Sequence, residues 1–267
     1  MKRKKKQENT TLRVAIIFCI SVLVLIVMSL IFKTLILIKD SNFDGTNRFN
    51  VEILQDSKVS VVSFSPLTHS IAILNLQGKP VNSNLSQYLE LPIDGVIRTT
   101  DISLDKKNLS SNLSKILFSF NNKKTDLTVI DLLRLFLYAK NVSINSIYQR
   151  DVDSTDNLTI NSFVSSFFID SAIANEKITI EVVNATQVYG LANRLATYIT
   201  NIGGDVVLVS TSDKIEDQSQ IYYSNDLSYT VKRLSRVLGI KYTKSPKRDI
   251  SDVTIIIGKD ILGKLKF

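Results

Sequence analysis

Residues 177–209 read KITIEVVNATQVYGLANRLATYITNIGGDVVLV, and this stretch decides the fold of the C-terminal part of the chain. Lys177–Val183 alternates β-branched and polar residues, the period of a half-buried strand. Asn184-Ala185-Thr186 breaks it. From Val188 the apolar positions Leu191, Leu195, Tyr198, Ile199 and Ile202 recur at helical spacing, and Gly203-Gly204 ends the helix. Asp205–Val209 is the next strand, and Gln220–Tyr223 another. A second helix has the face Leu227, Val231, Leu234 and Leu238, with Asn225 or Asp226 as its cap and Gly239 as its stop. Val253–Ile257 is a closing, continuously apolar strand. The order is β-α-β-β-α-β. A short loop between the middle strands predicts an antiparallel hairpin, and hence a split ferredoxin-like sheet with both helices on one face. Residues 176–267 are then expected to fold alone.

Toward the N-terminus the pattern changes. Residues 14–32, VAIIFCISVLVLIVMSLIF, carry no charge, and a second apolar run, Leu35–Ile38, follows Lys33 and Thr34. At about 1.5 Å per residue the first run alone nearly matches a hydrocarbon core of about 30 Å. A buried soluble helix would show a polar face over such a length. A cleaved signal peptide would have a shorter apolar core and an A-x-A-like site, which does not follow here. Residues 14–38 therefore read as a transmembrane signal anchor. Lys2, Arg3, Lys4, Lys5 and Lys6 precede it, so the positive-inside rule keeps residues 1–13 in the cytoplasm and puts the body outside, as a single-pass protein of the cytoplasmic membrane. Residues 39–50 are polar and read as a tether.

The net charge of +8 belongs mainly to this topology signal. Residues 1–39 hold eight basic side chains and one acidic, whereas the remaining 228 hold 25 basic and 24 acidic. A nearly neutral body gives no footprint for nucleic acid. One cysteine, Cys19, lies inside the apolar run, and there is one histidine, His69. Neither a disulfide within the chain nor a multi-histidine or thiolate metal site can form. No glycine-rich phosphate loop and no G-x-S-x-G elbow occurs, and no cofactor is called for.

Between anchor and C-terminal domain, residues 51–160 read as a small mixed α/β region. Val59–Ser65 and Ser70–Leu76 are strands around the turn Ser65–His69, which leaves His69 in solvent. Residues 109–120 and 126–140 have helical period, the second through Leu127, Ile130, Leu133 and Leu137. Residues 145–160 are polar and read as an excursion, and residues 161–175 as a connecting helix. The fold class is α+β: an N-terminal transmembrane helix, the small mixed region and the C-terminal β-α-β-β-α-β domain.

Several pieces occur in order: FFIDSAIANEKITIEVVNAT, YGLANRLATYI, GGDVVLV, QIYYS and DVTIIIGKD. Over about Ile169–Leu262 they resemble the LytR C-terminal domain family. Members of that family typically have N-G-T where this chain has Asn184-Ala185-Thr186. They often have G-x-x-G-L-A where it has Gln187 to Ala192, so one glycine is lost at each turn. The resemblance implies a cell-envelope protein. It also implies a link to LytR–CpsA–Psr enzymes, which transfer lipid-pyrophosphate-linked glycopolymers and often precede such a domain. Val59–Gly78 is similar to the start of such an enzyme, but Leu74–Gly78 reads LNLQG where the family has serine-isoleucine-proline-arginine-aspartate. The resemblance upstream is therefore to a degenerate domain.

Two sets of residues carry the functional expectations. Asn184, Thr186, Tyr189 and Gly190 meet where a strand ends and a helix begins. Free backbone N–H groups there can receive an anion or polar glycan, and the Tyr189 ring can stack on a sugar. The competing account is that Asn184 shapes the turn, Thr186 caps the helix and Gly190 serves close packing. The second set, Asp94, Arg98 and Asp101, would serve a divergent transferase if they clustered. Lys232, Arg233 and Arg236 read as a solvated face. The leading expectation is a non-catalytic module for wall glycan or an envelope protein, and the alternative is the transferase.

Overall fold

The structure is a computed structural model of the chain. It describes residues 2–55, 58–78, 84–99, 104–119, 124–245 and 250–261, with the side chains of 2–11 set aside. Asp101 lies outside the described residues.

The first element, α1 (Lys2–Lys39), is one continuous helix through the apolar segment. Leu12–Lys39 is long and apolar enough to cross a membrane, and none of its most apolar window is covered by the rest of the protein. Residues 40–48 do not hang free as a tether. Phe43 is buried among the rings of Phe49, Phe64 and Tyr138. The polar composition of this stretch hid the one aromatic side chain that pins it.

The next part is a six-stranded sheet in the order β5-β4-β1-β2-β3-β6. Its strands are β1 (Phe49–Leu54), β2 (Val59–Ser65), β3 (Ser70–Gln77), β4 (Gly95–Arg98), β5 (Lys124–Thr125) and β6 (Ile147–Asp153). The hairpin of β2 and β3 turns through Pro66–Thr68, and His69 is exposed at a φ of 46°, as the sequence suggests. The β6 strand replaces the expected polar excursion. It pairs in parallel with β3 as an edge strand, and its middle residues Tyr148 to Asp151 face partly or wholly outward, so apolar alternation is absent.

Every residue of β2 is buried because both faces of the sheet are covered. On one face lie α3 (Leu109–Phe118) and α4 (Val129–Asn141), around Val62, Phe64, Ile71 and Ile73. On the other lie α2 (Leu85–Leu89), α5 (Asn157–Phe167) and α6 (Ser171–Glu176). The buried residues of α4 are Asp131, Leu132, Leu135 and Ala139, while Leu133 and Leu137 are exposed. Of the four positions picked out by sequence period, Leu127 is buried just ahead of the helix and Ile130 is half-buried, while Leu133 and Leu137 face outward.

The C-terminal part holds β7 (Thr179–Asn184), α7 (Leu191–Asn201), β8 (Asp205–Thr211), β9 (Gln220–Tyr223), α8 (Tyr229–Leu238), β10 (Lys241–Lys244) and β11 (Val253–Ile257). The expected elements are all present, with β10 in addition. Their pairing departs from the split ferredoxin-like order. β8 pairs in parallel with β7, and β9 pairs antiparallel with β11, so the middle strands form no hairpin. The order is β10-β9-β11-β7-β8. Each β-α-β unit forms its own parallel pair, and β11 is inserted between the two units. The short loop predicts a hairpin, but β9 takes the apolar β11 as its partner in place of β8. The two units run in opposite directions, related by a half-turn about the sheet normal, which keeps both helices on one face.

That face is not an outer surface. One continuous apolar cluster joins Ile180, Val182 and Ile255 of this sheet to Leu195 and Leu234 of its helices. It continues to Leu89, Ile160 and Phe168, and on to Val61 and Leu74 of the first sheet. The helices α7 and α8 are therefore filling between two sheets, and the C-terminal part shares its core with the region before it.

Asp131 ties the post-helix segment to α4. Its carboxylate accepts from the Ser41 hydroxyl at 2.7 Å, the Phe43 N–H at 2.8 Å, and the Thr128 N–H and hydroxyl at 2.9 and 2.8 Å. Burial pushes this carboxyl up, but the hydrogen bonds outweigh it and hold it below the ordinary carboxylate range. A carboxyl depressed in the folded state stabilises fully above its unfolded value of about 3.9 and loses that contribution as pH falls through the folded value. Asp131→Asn should therefore lower the melting temperature at neutral pH, and the gap to the parent protein should close below about pH 4. A gap independent of pH would show that the charge of Asp131 is not what holds the segment.

Candidate functional site

The turn between β7 and α7 is built by two side chains that face inward. Asn184 and Thr186 are both buried. The Asn184 Oδ1 accepts from the Thr186 N–H at 3.0 Å and hydroxyl at 2.7 Å, while its Nδ2 donates to the Val188 carbonyl at 2.8 Å. The Thr186 hydroxyl oxygen accepts from the Val188 N–H at 3.1 Å. These are the side-chain-to-backbone bonds by which Asn and Thr shape turns. Both residues spend their polar atoms on the turn itself.

Thr186 does not cap the helix. The N-cap of α7 is Gly190, at a φ of 79° and with no side-chain cap bond. Open space surrounds the position of a Cβ at Gly190, so left-handed backbone and not close packing calls for glycine there. The missing cap leaves the first N–H groups of α7 without a side-chain partner. Beside them Tyr189 is 100% exposed, the most exposed of the large apolar side chains outside any packing role. A cleft of about 370 Å³ opens here, lined by Gln187, Tyr189, Asn193, Ser210 and Thr211 among others. Of the four residues expected at this site, the structure keeps Tyr189 and Gly190 at the open surface and makes Asn184 and Thr186 the frame beneath. Ser210 and Thr211, at the end of β8, line the cleft through sheet pairing with Val183 and Asn184, which the sequence could not show.

In the second set, the two described residues, Asp94 and Arg98, lie apart. Asp94 immediately precedes β4 and Arg98 ends it, and extended chain of that length separates them by about 13 Å. Asp94 is already engaged. Its carboxylate accepts from Arg233 Nη1 at 2.7 Å and Nη2 at 2.8 Å, and from the Asn50 N–H at 2.9 Å. Arg98 is exposed at the other end of the strand. Its charge acts on Glu52, whose carboxyl burial pushes up, Arg98 pulls down and Asp126 pushes up again. Among the described residues no group of three metal-ligating side chains occurs.

The partner of Asp94 corrects another expectation. Arg233 is buried, not part of a solvated face, while Lys232 and Arg236 on either side are exposed. Nearby, Tyr229 donates to Asp170 at 2.9 Å, and burial pushes the Asp170 carboxyl up. A helical wheel places Arg233 next to the polar side of α8. Only the chain brought against it from 139 positions away turns that side inward.

Comparison with known proteins agrees with the C-terminal motifs. Residues 177–260 match the family described as LytR cell envelope-related transcriptional attenuator, so this segment is a LytR-type C-terminal domain. Among solved structures, the Lin1025 protein of Listeria innocua is similar at 11% identity, with 46% of this chain and 99% of that chain covered and a TM-score of 0.34. The transcriptional regulator yvhJ of Bacillus subtilis is 10% identical, with 40% and 83% covered and a TM-score of 0.30. TagV of B. subtilis is 7% identical, with 41% and 85% covered and a TM-score of 0.30. No curated protein matches. A LytR-type envelope domain behind one helix suited to cross a membrane supports a single-pass membrane protein.

Proposed function

We propose that the chain is an envelope protein anchored in the cytoplasmic membrane, with its body outside, and that the turn Asn184–Gly190 binds a polar glycan of the cell wall. The observation that carries the reading is Tyr189. A wholly exposed ring beside a hydroxyl-lined cleft and the open start of a helix is poorly explained by stability, since it buries nothing. It suits a sugar, whose apolar ring face stacks on an aromatic while its hydroxyls meet Ser210, Thr211 and the helix N–H groups. The inward frame of Asn184 and Thr186 holds that surface in place. An envelope protein as partner is the second form of the same reading. The transferase has less support, because its carboxylate Asp94 is bound to Arg233.

Pull-down of the full chain with isolated cell-wall fractions tests this. Tyr189→Ala should weaken wall binding several-fold and leave the melting temperature nearly unchanged. Intact binding in that variant would remove the site, and a scaffold for other membrane proteins would take its place.

Orientation has its own test. A reporter fused after Phe267 should be active only outside the cytoplasm, and neutralising Lys2–Lys6 should weaken that bias. Cytoplasmic activity of the reporter would overturn the envelope reading as a whole.

A further inference from the structure

The outer face of α4 carries exposed apolar side chains that no described residue covers. Val129 and Leu137 are each about half exposed and Leu133 nearly so, at intervals of four, so they form a stripe along one side of the helix. Ile130 and Phe136 flank it, half-buried, and the exposed Lys140 lies on the same side in the last turn. Opposite are the core residues Asp131, Leu132, Leu135 and Ala139. At the end of α3, which packs alongside, Phe118 is exposed as well.

The place of α4 in the chain says what covers this stripe. The helix is bonded to the residues that leave α1. Ser41 and the Phe43 N–H reach Asp131, and Arg134 donates back to the Ser41 hydroxyl at 3.0 Å and the Phe43 carbonyl at 2.7 Å. Ser41 is two residues beyond Lys39, where α1 ends, so Asp131 lies within roughly 10 Å of that end. The last apolar turn of α1, Leu35–Ile38, is itself exposed. The end of α1 and α4 thus approach each other, and each of the two helices carries an exposed apolar surface. The polar zone of a bilayer is about 5–7 Å deep on each side, so an element within roughly 10 Å of the end of the span lies at about that depth.

We propose that α4 lies along the surface of the leaflet from which the body emerges, with Val129, Leu133 and Leu137 among the upper acyl chains and Lys140 among the headgroups. This is the behaviour of an interfacial amphipathic helix, and it rests on α1 being the membrane span. The body is then seated on the membrane by a second contact, with Asp131 and Arg134 clamping the two together. It also explains why the sequence period of α4 marks Leu133 and Leu137, which face away from the protein core.

The test uses the full chain, one copy per nanodisc of phosphatidylcholine and phosphatidylglycerol, in a Cys19→Ser background. Spin labels are placed through Leu133→Cys, through Lys232→Cys on the exposed side of α8, and through Leu25→Cys within the span. Collision with oxygen, which partitions into lipid, is compared with collision with a water-soluble nickel chelate. The label at 133 should favour oxygen several-fold over the label at 232, approaching the label at 25. If 133 behaves like 232 while 25 stays in lipid, the span stands and the surface contact is overturned. Shielding of 133 from both reagents would mean a protein contact, such as a second copy, and would overturn it equally. Water exposure at 25 would remove the span and the proposal together.

Discussion

The Arg233–Asp94 ion pair is the constraint on which the rest of this architecture leans. Its two side chains are only 6% and 11% exposed, and they join the start of β4 in one sheet to the helix packed on the other. A bidentate guanidinium–carboxylate pair fixes both distance and angle. Burying it carries a desolvation penalty that good geometry and further hydrogen bonds must offset. Here Asp94 also receives the Asn50 N–H and donates its own N–H to the Asn50 carbonyl, so the pair is anchored to the β1 strand beside it. The apolar cluster running from the first sheet through α7 and α8 to the second supplies the driving force. The ion pair sets the register in which that burial occurs.

This arrangement sets the supporting contacts of α7 beside the turn proposed to bind. The C-terminal end of α7 is held against the upstream region, where Asn201 donates to the Glu90 carbonyl at 3.2 Å. Gly190 lies at the other end, about 16 Å away along the helix. Leu191 and Leu195 bury the first turns of the same helix, so Tyr189 stands at the end of an element packed along its length, which suits the proposed binding turn. The same logic holds at the membrane side, where Asp131 and Arg134 replace a loose tether by a clamp.

Much of this was readable in the residues, and the failures share a cause. Strands β9 and β11 and the β2–β3 hairpin follow from local pattern, and the structure places them at the expected residues. What local pattern cannot report is the neighbour. The β6 and β10 strands sit on sheet edges, where few side chains need be apolar, so IYQRDVD and KYTK look like loop. Arg233 looks solvated until Asp94 is brought to it. Leu133 and Leu137 look buried because nearly every position of α4 around them is apolar, and period then has no contrast to work with. At the candidate site, the exposure of Tyr189 and the turn-forming role of Asn184 could be expected. The Gly190 cap and the hydroxyls of β8 depend on backbone geometry and strand pairing.

The two sheets form one folded body with a shared core, where the sequence predicts an independent C-terminal domain. Hydrogen exchange of the full chain and of Asp94→Ala, read at amides of β2 and of β11, tests it directly. Leaving Arg233 buried without its carboxylate should cost about 3–5 kcal/mol. With one shared core, the slowest amides of both strands should lose protection together and by similar amounts. Loss of protection in β11 alone, with β2 unchanged, would show two independent domains and contradict it.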